Sequence, residues 1–474
     1  MKILFIDPPP YGFDRGREMS MTFNSAANKI PSLGLGYLAA TARSSGHEAS
    51  IFDCTVNNDE AALYSAAASC KPDVIGITST TPVFVQARSI AESLRKIHPA
   101  AVYVLGGSHA TCDPAGALAA GAFDLLVMGE GEDTFAELLS CLEKGRRPDE
   151  TVKGIAFRND SSVVVTTPRG YIDDLDRIPL PARDLLPGLR AYHPTPASYR
   201  RLPVGIVMTS RGCPSRCTFC DRAIFGSSFR KRSADNVGTE LDELVNKYGA
   251  KEVRFFDDTF TVDRGHASSI CALMRTRFLD IPWTCLTRVT AVTPEMLREL
   301  KMSGCWQVLY GLESGDDGIL EKLGKGNTVE QNRRAVYWAK KAGLRIRADF
   351  LVGTPWETKG TFRKTVEFAK SLPLDFAHFN KFVPYPGTDI YKNLTAQGYS
   401  FDFYRGSFST DHESYAYVPP AFSCEDYGAA LNKAFREFYL RPGYLIHKIL
   451  SMKTRTEFAG HVKGMSSILA LRER

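Results

Sequence analysis

The chain has 474 residues, of which 44% are hydrophobic and 24% charged, a composition typical of a globular protein with two or three domains. No apolar run reaches membrane-spanning length, and residues 1–7 become acidic too soon for a signal peptide, so we expect a cytoplasmic location. The net charge of +6 equals the excess of nine basic over three acidic residues in 429–474. The basic run 230–232 is too short to indicate nucleic-acid binding, which we regard as disfavoured.

Residues 1–150 alternate short β-branched runs with helical patterns, which predicts βαβ units around a parallel sheet. Apolar residues at helical spacing predict helices over 84–97 and 133–142. The predicted strands are 2–7, 49–53, 73–78, 101–105 and 124–128. We therefore expect a flavodoxin-like or Rossmann-like, doubly wound domain.

The predicted strands of this first domain end in small, polar or turn-forming residues. Ligands of doubly wound sheets bind beyond the carboxyl ends of the strands, where these residues fall. No G-x-G-x-x-G follows the first strand, which disfavours a nicotinamide cofactor. The candidate ligand contacts are Pro9, Thr78, Ser79, Thr80, Gly106, Gly107, His109, Gly129, Glu130 and Gly131.

A hairpin and a linker are predicted next. Two β-rich runs, 154–158 and 163–167, flank a turn, and a stretch punctuated by prolines follows at 173–187. We divide the chain into a first domain (1–150), a hairpin and linker (151–199), a second domain (200–395) and a mostly helical C-terminal region (396–474).

The second domain resumes the alternation of strands and helices. Helices are predicted over 234–247 and 329–342, and strands over 204–209, 252–256, 283–286, 307–310, 345–352 and 376–383. Six such units favour a partial (β/α)6 barrel of the TIM type. Catalytic groups of these barrels lie at the C-terminal ends of the strands.

Three cysteines follow the first strand of the second domain with the spacing C-x₃-C-x₂-C: Cys213, Cys217 and Cys220. A closed zinc site needs four ligands, and neither a second cysteine pair nor an H-x₃₋₅-H lies nearby, so zinc is disfavoured. A [4Fe-4S] cluster normally takes four thiolates, so three would leave one iron open to bind a substrate.

With Phe219 before the third cysteine, the motif resembles the signature of the radical SAM superfamily. The resemblance implies that the open iron binds S-adenosylmethionine (SAM), and that an external one-electron reductant, flavodoxin or ferredoxin, triggers its cleavage to a 5′-deoxyadenosyl radical. Segments at later strand ends resemble the SAM-binding motifs of the superfamily, in the expected order. By this resemblance the SAM-binding residues are Phe219, Asp257, Asp258, Arg288, Glu313, Ser314 and Gly353.

An α/β domain ahead of such a barrel, joined by the Leu-Asp-x-Ile-Pro-x-Pro stretch at 175–181, resembles the cobalamin-binding class of the superfamily. Segments 30–37, 106–111 and 128–132 carry this resemblance, which implies cobalamin at the strand-end loops of the first domain. The D-x-H-x-x-G motif of other B12 enzymes is absent, so no histidine of that motif would ligate cobalt. The implied reaction is methylation of an unactivated carbon by methylcobalamin.

Three other functions are weighed against methylation. Some members of this class catalyse cyclisation or rearrangement, notably the anaerobic magnesium-protoporphyrin ester cyclases, and the motifs do not separate these outcomes. A tRNA methylthiotransferase would need a second cluster from Cys54, Cys70 and Cys112 or Cys141, whose surroundings do not match one. A non-enzymatic cobalamin or metal sensor would not require the strand-end residues assigned to SAM.

The C-terminal region is predicted to form helices over 427–440 and 444–452. Such a tail can cap the open barrel and keep its basic face in water. Alternatively it touches an anionic membrane surface, which would favour a lipid, isoprenoid or tetrapyrrole substrate over a soluble peptide. The membrane-facing residues would then be Phe438, Tyr439, Arg441, Tyr444, Ile446 and Lys448.

Overall fold

Two parallel sheets, one in each half of the chain, form the framework of the protein. The structure is a computed structural model that describes residues 1–10, 12, 13, 28–160, 162–195, 198–401 and 416–451. Five basic residues of the predicted tail lie outside the described residues: Lys453, Arg455, Lys463, Arg472 and Arg474.

The first sheet has the strand order β2-β1-β3-β4-β5-β6-β7. Its strands are β1 (Lys2–Asp7), β2 (Glu48–Asp53), β3 (Val74–Thr78), β4 (Val102–Gly106), β5 (Leu125–Val127), β6 (Ile155–Asn159) and β7 (Ser162–Val165). The first five are parallel in the flavodoxin order, so the predicted fold class is confirmed. The predicted hairpin, β6 and β7, adds to β5 in antiparallel pairing, so this sheet extends to residue 165 and past the boundary predicted at 150.

Helices cover both faces of the first sheet, and each face has its own apolar core. Ile90 and Leu94 of one helix are buried on one face, as their helical spacing predicts, whereas Val85, expected on the same face, is exposed, and Phe84 is buried. The helices are α1 (Leu33–Ser44), α2 (Glu60–Cys70), α3 (Phe84–Ile97), α4 (Ser108–Cys112), α5 (Pro114–Ala119) and α6 (Gly131–Glu143).

The second sheet is a partial barrel with the strand order β8-β11-β12-β13-β14-β15, all in parallel pairing. A short antiparallel ribbon, β9 with β10, precedes β11. The strands are β8 (Val204–Val207), β9 (Ser210–Arg211), β10 (Arg230–Lys231), β11 (Glu252–Phe255), β12 (Trp283–Thr287), β13 (Cys305–Glu313), β14 (Arg345–Val352) and β15 (Phe376–Lys381). β13 is longer than predicted because its pairing with β14 continues through Gly311 to Glu313.

The barrel strands alternate in the direction of their side chains. On β11, Val253 and Phe255 belong to the core beneath the surrounding helices, whereas Arg254 faces the lumen of the barrel. The surrounding helices are α7 (Ala234–Asp242, continued by a π-helical turn, Glu243–Lys247), α8 (Arg264–Arg277), α9 (Pro294–Met302), α10 (Asp317–Lys322), α11 (Val329–Lys341), α12 (Lys359–Ser371) and α13 (Asp389–Ala396).

The linker between the halves is packed against both of them and contains three short 3₁₀ turns: Leu175–Arg177, Arg183–Leu185 and Leu189–Ala191. Its Ala182 N–H donates to the Gly36 carbonyl at 3.0 Å. Arg183 is buried, donates to the Ile206 carbonyl at 2.6 Å and pairs with Glu240. These contacts join the first domain to the start of the barrel.

The C-terminal helices, α14 (Cys424–Tyr439) and α15 (Pro442–Ser451), pack against the last barrel strand. Phe438 is fully buried, and the Tyr439 and Tyr444 hydroxyls donate to the carbonyls of Ala377 and Asp375, each at 2.8 Å. These contacts favour the barrel-capping interpretation.

The aromatic residues of the predicted membrane contact are therefore largely turned toward the barrel. Lys448 is also buried, 3.7 Å from Asp375, and the Arg441 guanidinium stacks on the Phe438 ring at 4.4 Å. Of the predicted set, Ile446 is largely exposed. No helix in the described ranges combines the length and apolarity needed to cross a bilayer.

Candidate active site at the barrel mouth

A cavity of about 660 Å³ opens at the carboxyl ends of the barrel strands. Every strand of the partial barrel reaches it, either directly or through the loop that follows it. The residues that line it include the three cysteines of the motif together with Phe219, Asp258, Arg288, Glu313 and Lys325. The structure thus brings most of the predicted SAM contacts to one place.

The three cysteines lie on the loop between β9 and β10, hereafter the cluster loop (212–229), whose base is closed by the pairing of Arg211 with Arg230. None of them forms a disulfide. Burial, followed by the proximity of Cys217, Asp258 and Cys213, raises the pKa of the Cys220 thiol to about 12. Bound iron would remove this penalty, because it stabilises thiolates.

The donor set fits an iron–sulfur cluster better than a single metal ion. Within the described ranges, no three His, Cys, Asp or Glu side chains converge closely enough to hold one metal ion. A [4Fe-4S] cluster does not need such convergence, because each thiolate binds a different iron.

Arg288 and Glu313 stand at the edge of the cluster loop. Arg288 donates from Nη1 to the Cys217 sulfur at 3.2 Å and from Nη2 to the Lys325 carbonyl. Glu313 has a left-handed backbone, with φ +61°, and its carboxylate pairs with the Lys325 ammonium at 2.7 Å. Since this conformation is unfavourable for a residue with a side chain, its presence at the site indicates a functional constraint.

The two neighbouring aspartates have different positions. Asp257 is 3% exposed and accepts hydrogen bonds from the N–H groups of Thr209 and Ser210, both at 2.6 Å, and from the Thr209 hydroxyl at 2.8 Å. Its carboxylate therefore fixes the backbone that leaves β8, and burial raises its pKa to about 6. Asp258 is exposed, and both aspartates line the cavity.

Two predicted SAM contacts lie away from the cavity. Ser314 is fully buried, with Oγ 3.1 Å from the Thr365 hydroxyl. Gly353 has φ +84°, and a Cβ atom there would collide with the Tyr427 hydroxyl of α14. Both residues support the packing of helices on the barrel, so we leave them out of the proposed SAM site.

A second cavity, of about 170 Å³, lies at the strand ends of the first domain. Gly107 has φ +95°, and a Cβ atom there would approach the Ser79 carbonyl to 2.6 Å, so the loop requires glycine. Six of the predicted contacts line this cavity: Thr78, Gly106, Gly107, Gly129, Glu130 and Gly131. Pro9, Ser79, Thr80 and His109 do not line it.

His109 belongs to the core of the first domain. It is fully buried, with Nδ1 3.2 Å from the Thr81 hydroxyl and its ring 4.2 Å from that of Phe84. Burial lowers its pKa to about 4, so the imidazole is neutral at physiological pH. We therefore leave His109 out of the proposed cobalamin site.

Comparisons with known proteins identify the families of the two domains. The model of the radical SAM superfamily matches residues 207–369, and the model of the B12 binding domain matches residues 19–139. An uncharacterized methyltransferase of Pyrococcus horikoshii is 35% identical over 95% of both chains. The chain is a cobalamin-binding radical SAM enzyme. Its cofactors are a [4Fe-4S] cluster, SAM and cobalamin.

Two other relatives extend over most of this radical SAM enzyme. The anaerobic magnesium-protoporphyrin IX monomethyl ester cyclase of Rubrivivax gelatinosus is 29% identical over 97% of this chain and 81% of its own. The solved structure of the cobalamin-dependent SAM radical enzyme OxsB has a TM-score of 0.73 at 16% identity, covering 99% of this chain and 71% of its own. The latter likeness supports the fold.

The two halves of the radical SAM enzyme are joined by a buried ion-pair group that the sequence analysis missed, hereafter the Glu130 clasp (Glu130, Glu132, Arg211 and Arg230). Glu130 accepts from Arg211 at 3.0 Å, from Arg230 at 2.7 Å and from the Ile172 N–H at 2.7 Å. Glu132 pairs with Arg211 at 2.6 Å. The signal in the sequence was an arginine at each end of the cysteine motif. Glu130, predicted to contact cobalamin, thus also anchors the cluster loop.

The first-domain cysteines of the radical SAM enzyme lie apart from one another. Cys54 belongs to the core on one face of the sheet and Cys141 to the core on the other. Cys112 donates to Asp221 of the cluster loop at 3.2 Å. Cys54 and Cys141 are thus separated by the sheet, and Cys112 is bonded to the cluster loop, which disfavours the shared second cluster of the methylthiotransferase alternative.

Proposed function

We propose that this enzyme methylates an unactivated carbon of a small molecule, with a [4Fe-4S] cluster held by Cys213, Cys217 and Cys220. The observation that carries the proposal is that the three thiols share one cavity with Arg288, and that this cavity adjoins the glycine-lined one. The methyltransferase name of the 35% identical relative favours methylation over cyclisation. When bound, the cluster and SAM supply radical chemistry, and cobalamin supplies a methyl carrier.

The residues at the cavity edge would orient SAM. Arg288, adjacent to Cys217, is placed to pair with the SAM carboxylate. Asp258, exposed to the cavity, can accept hydrogen bonds from the SAM amino group. Lys325 holds the Glu313 carboxylate in a fixed direction, and Phe219 gives the site an apolar face.

The first-domain loops would hold cobalamin. Gly106, Gly107, Gly129 and Gly131 let a bulky ligand approach the backbone closely. The 170 Å³ cavity between them is too small for a whole macrocycle, so these loops would hold only part of cobalamin. Met208, Ile224 and Phe225 line both cavities and would exclude water between the two cofactors.

The electron would come from an external one-electron reductant, flavodoxin or ferredoxin. Substrate would enter at the barrel mouth, because the lumen of the partial barrel continues below the cluster loop. A peripheral membrane contact would leave out Phe438, Tyr439 and Tyr444, since these aromatic residues pack against the barrel.

Anaerobic reconstitution tests the proposal. The enzyme should bind about four irons and one corrinoid per chain and release 5′-deoxyadenosine from SAM after reduction. Cys217→Ala should abolish this release, whereas Cys424→Ala, an exposed cysteine at the start of α14, should retain it. With deuterated methyl-SAM, a product carrying the labelled methyl group supports methylation.

Two outcomes would point to the alternatives. About eight irons per chain would indicate a second cluster and hence methylthiolation. Release of 5′-deoxyadenosine with a product that carries no labelled methyl group would indicate cyclisation or rearrangement.

A further inference from the structure

The floor of the barrel-mouth cavity carries charged side chains that the proposed cofactor contacts do not use. Arg254 of β11 and Asp349 of β14 line the cavity there, with Asn380 of β15. Arg254 is the next-to-last residue of β11, three residues before Asp257 in the loop that follows the strand. The walls above it are apolar and include Leu286, Leu309 and Leu351.

The Arg254 guanidinium has no carboxylate of its own. It stacks on the Phe256 ring at 4.9 Å and forms no ion pair or hydrogen bond with any residue that the structure describes. The nearest acidic group, Asp349, pairs with Arg347 at 3.5 Å. Two guanidinium groups therefore share one carboxylate, and the buried Asp349 Oδ1 itself accepts no hydrogen bond among the described residues.

The surrounding charged groups do not compensate Arg254. One layer deeper, Glu252 accepts from the N–H groups of Arg200 and Arg201 and from the Trp306 indole. At the mouth, Glu313 is paired with Lys325. Burial and the charge of Arg347 lower the pKa of His378, so it is neutral, and the same two causes lower the pKa of Arg254 to about 10. The floor thus keeps an excess positive charge.

We propose that Arg254 binds an anionic group of the substrate, a carboxylate or a phosphate, and that Asp349 accepts a hydrogen bond from a neighbouring donor on the same molecule. Arg254 is half-buried, and a partly desolvated charge without an ionic partner is unfavourable, a cost that an anion from the ligand would reduce. The anionic end would enter first, and the reacting carbon would lie nearer the cluster loop, whose cysteines line the same cavity. The proposal rests on the proposed function and names its substrate class, a molecule with a carboxylate or a phosphate. It excludes a neutral lipid as the substrate.

Equilibrium dialysis of the reconstituted full-length enzyme tests the assignment with three probes: 3-phenylpropionate, phenyl phosphate and the neutral 3-phenylpropanol. The wild type should bind one of the anions about tenfold more tightly than the alcohol, the gain expected from one charge-assisted contact. The tighter anion identifies the carboxylate or the phosphate as the group. Arg254→Gln should reduce the preference to about twofold or less, and Arg254→Lys should keep part of it.

Arg298→Gln is the matched control, because Arg298 is 61% exposed on α9 and pairs only with Glu295 among the described residues. It should keep the wild-type preference. Absence of a preference in the wild type, or a preference that survives in Arg254→Gln, overturns the proposal. SAM binding is measured in parallel by the same dialysis. Loss of SAM binding in Arg254→Gln would assign Arg254 to the SAM site and would also overturn the proposal.

The iron content of each variant shows whether it folds. The proposed function fails separately: a wild type that binds the anions but releases no 5′-deoxyadenosine after reduction contradicts the radical chemistry and leaves the anion site intact.

Discussion

Replacing Glu130 with glutamine tests whether the Glu130 clasp holds the cluster loop. The substitution keeps the shape of the side chain and removes the charge that Arg230 faces at 2.7 Å. Arg230 has no second carboxylate partner among the described residues, whereas Arg211 keeps Glu132 at 2.6 Å. Removing one partner of a buried ion pair costs about 3 to 5 kcal/mol, because the remaining charge stays uncompensated. We expect Glu130→Gln to lose this much free energy of unfolding.

Two control variants should lose less free energy of unfolding. Glu132→Gln leaves Arg211 paired with Glu130 at 3.0 Å, so its loss should be about 1.5 to 3 kcal/mol, that of one hydrogen bond to a charged group. Glu137→Gln removes the partially exposed partner of Arg169 and should cost less than about 1 kcal/mol. Anaerobic urea denaturation of the three variants measures these values. Equal losses for Glu130→Gln and Glu137→Gln would refute the reasoning.

The same variants test whether the ion pairs of the Glu130 clasp also hold the cluster-binding cysteines in place. Arg211 and Arg230 stand at the two ends of the cluster loop, so loosening their pairing should let the three thiols separate. Glu130→Gln should therefore retain less iron after reconstitution than Glu137→Gln. Full iron content in Glu130→Gln would show that the loop holds its shape without the clasp.

Two further predictions concern buried titratable groups. His109→Gln should flatten the acid limb of the stability curve. The folded-state pKa of His109, about 4, lies below the ordinary 6.5, so His109 lowers the free energy of unfolding by about 3 kcal/mol as pH falls from 6.5 towards 4. Denaturation of the wild type and the variant at pH 4 and pH 7 measures this loss. An equal loss in both proteins would contradict the prediction. Asp257→Asn should lower the unfolding free energy by about 1 to 3 kcal/mol, because two backbone N–H groups lose a charged acceptor. Asp258→Asn should instead weaken SAM binding about tenfold in equilibrium dialysis. Lost stability in Asp258→Asn together with weakened SAM binding in Asp257→Asn would contradict the structural role of Asp257 and the binding role of Asp258.

The elements of both domains could be predicted because the periodicity of apolar residues is a local signal. The direction of individual side chains at the strand ends could not. Alternation along β11 stops at Phe255. Which of Asp257 and Asp258 is buried is decided by the turn that follows, where Asp257 accepts from Thr209 and Ser210, the residues between β8 and β9 and at the start of β9. Contacts between residues so far apart in sequence leave no periodic pattern.

Other parts of the site depended on packing that the sequence does not record. His109 follows Gly107, whose positive φ opens α4 and turns the imidazole under Phe84 instead of toward the ligand loops. Glu130 meets arginines 81 and 100 positions away. Arg254 could not be singled out from the sequence, because it lies inside a predicted strand. Its position becomes informative only once the structure shows that it faces the open lumen of the partial barrel.

The cluster loop is the element through which the two halves can act on one substrate. Its Ile224 and Phe225 line the first-domain cavity as well as the barrel mouth, while its cysteines face the mouth. One loop would therefore connect the residues proposed to hold each cofactor, since its base is fixed to the first domain by Glu130 and its Asp221 contacts Cys112. Because buried ion pairs tolerate little displacement, a shift of the first domain should move this loop with it. A substrate anchored at Arg254 would then meet both cofactors at a separation fixed by the fold.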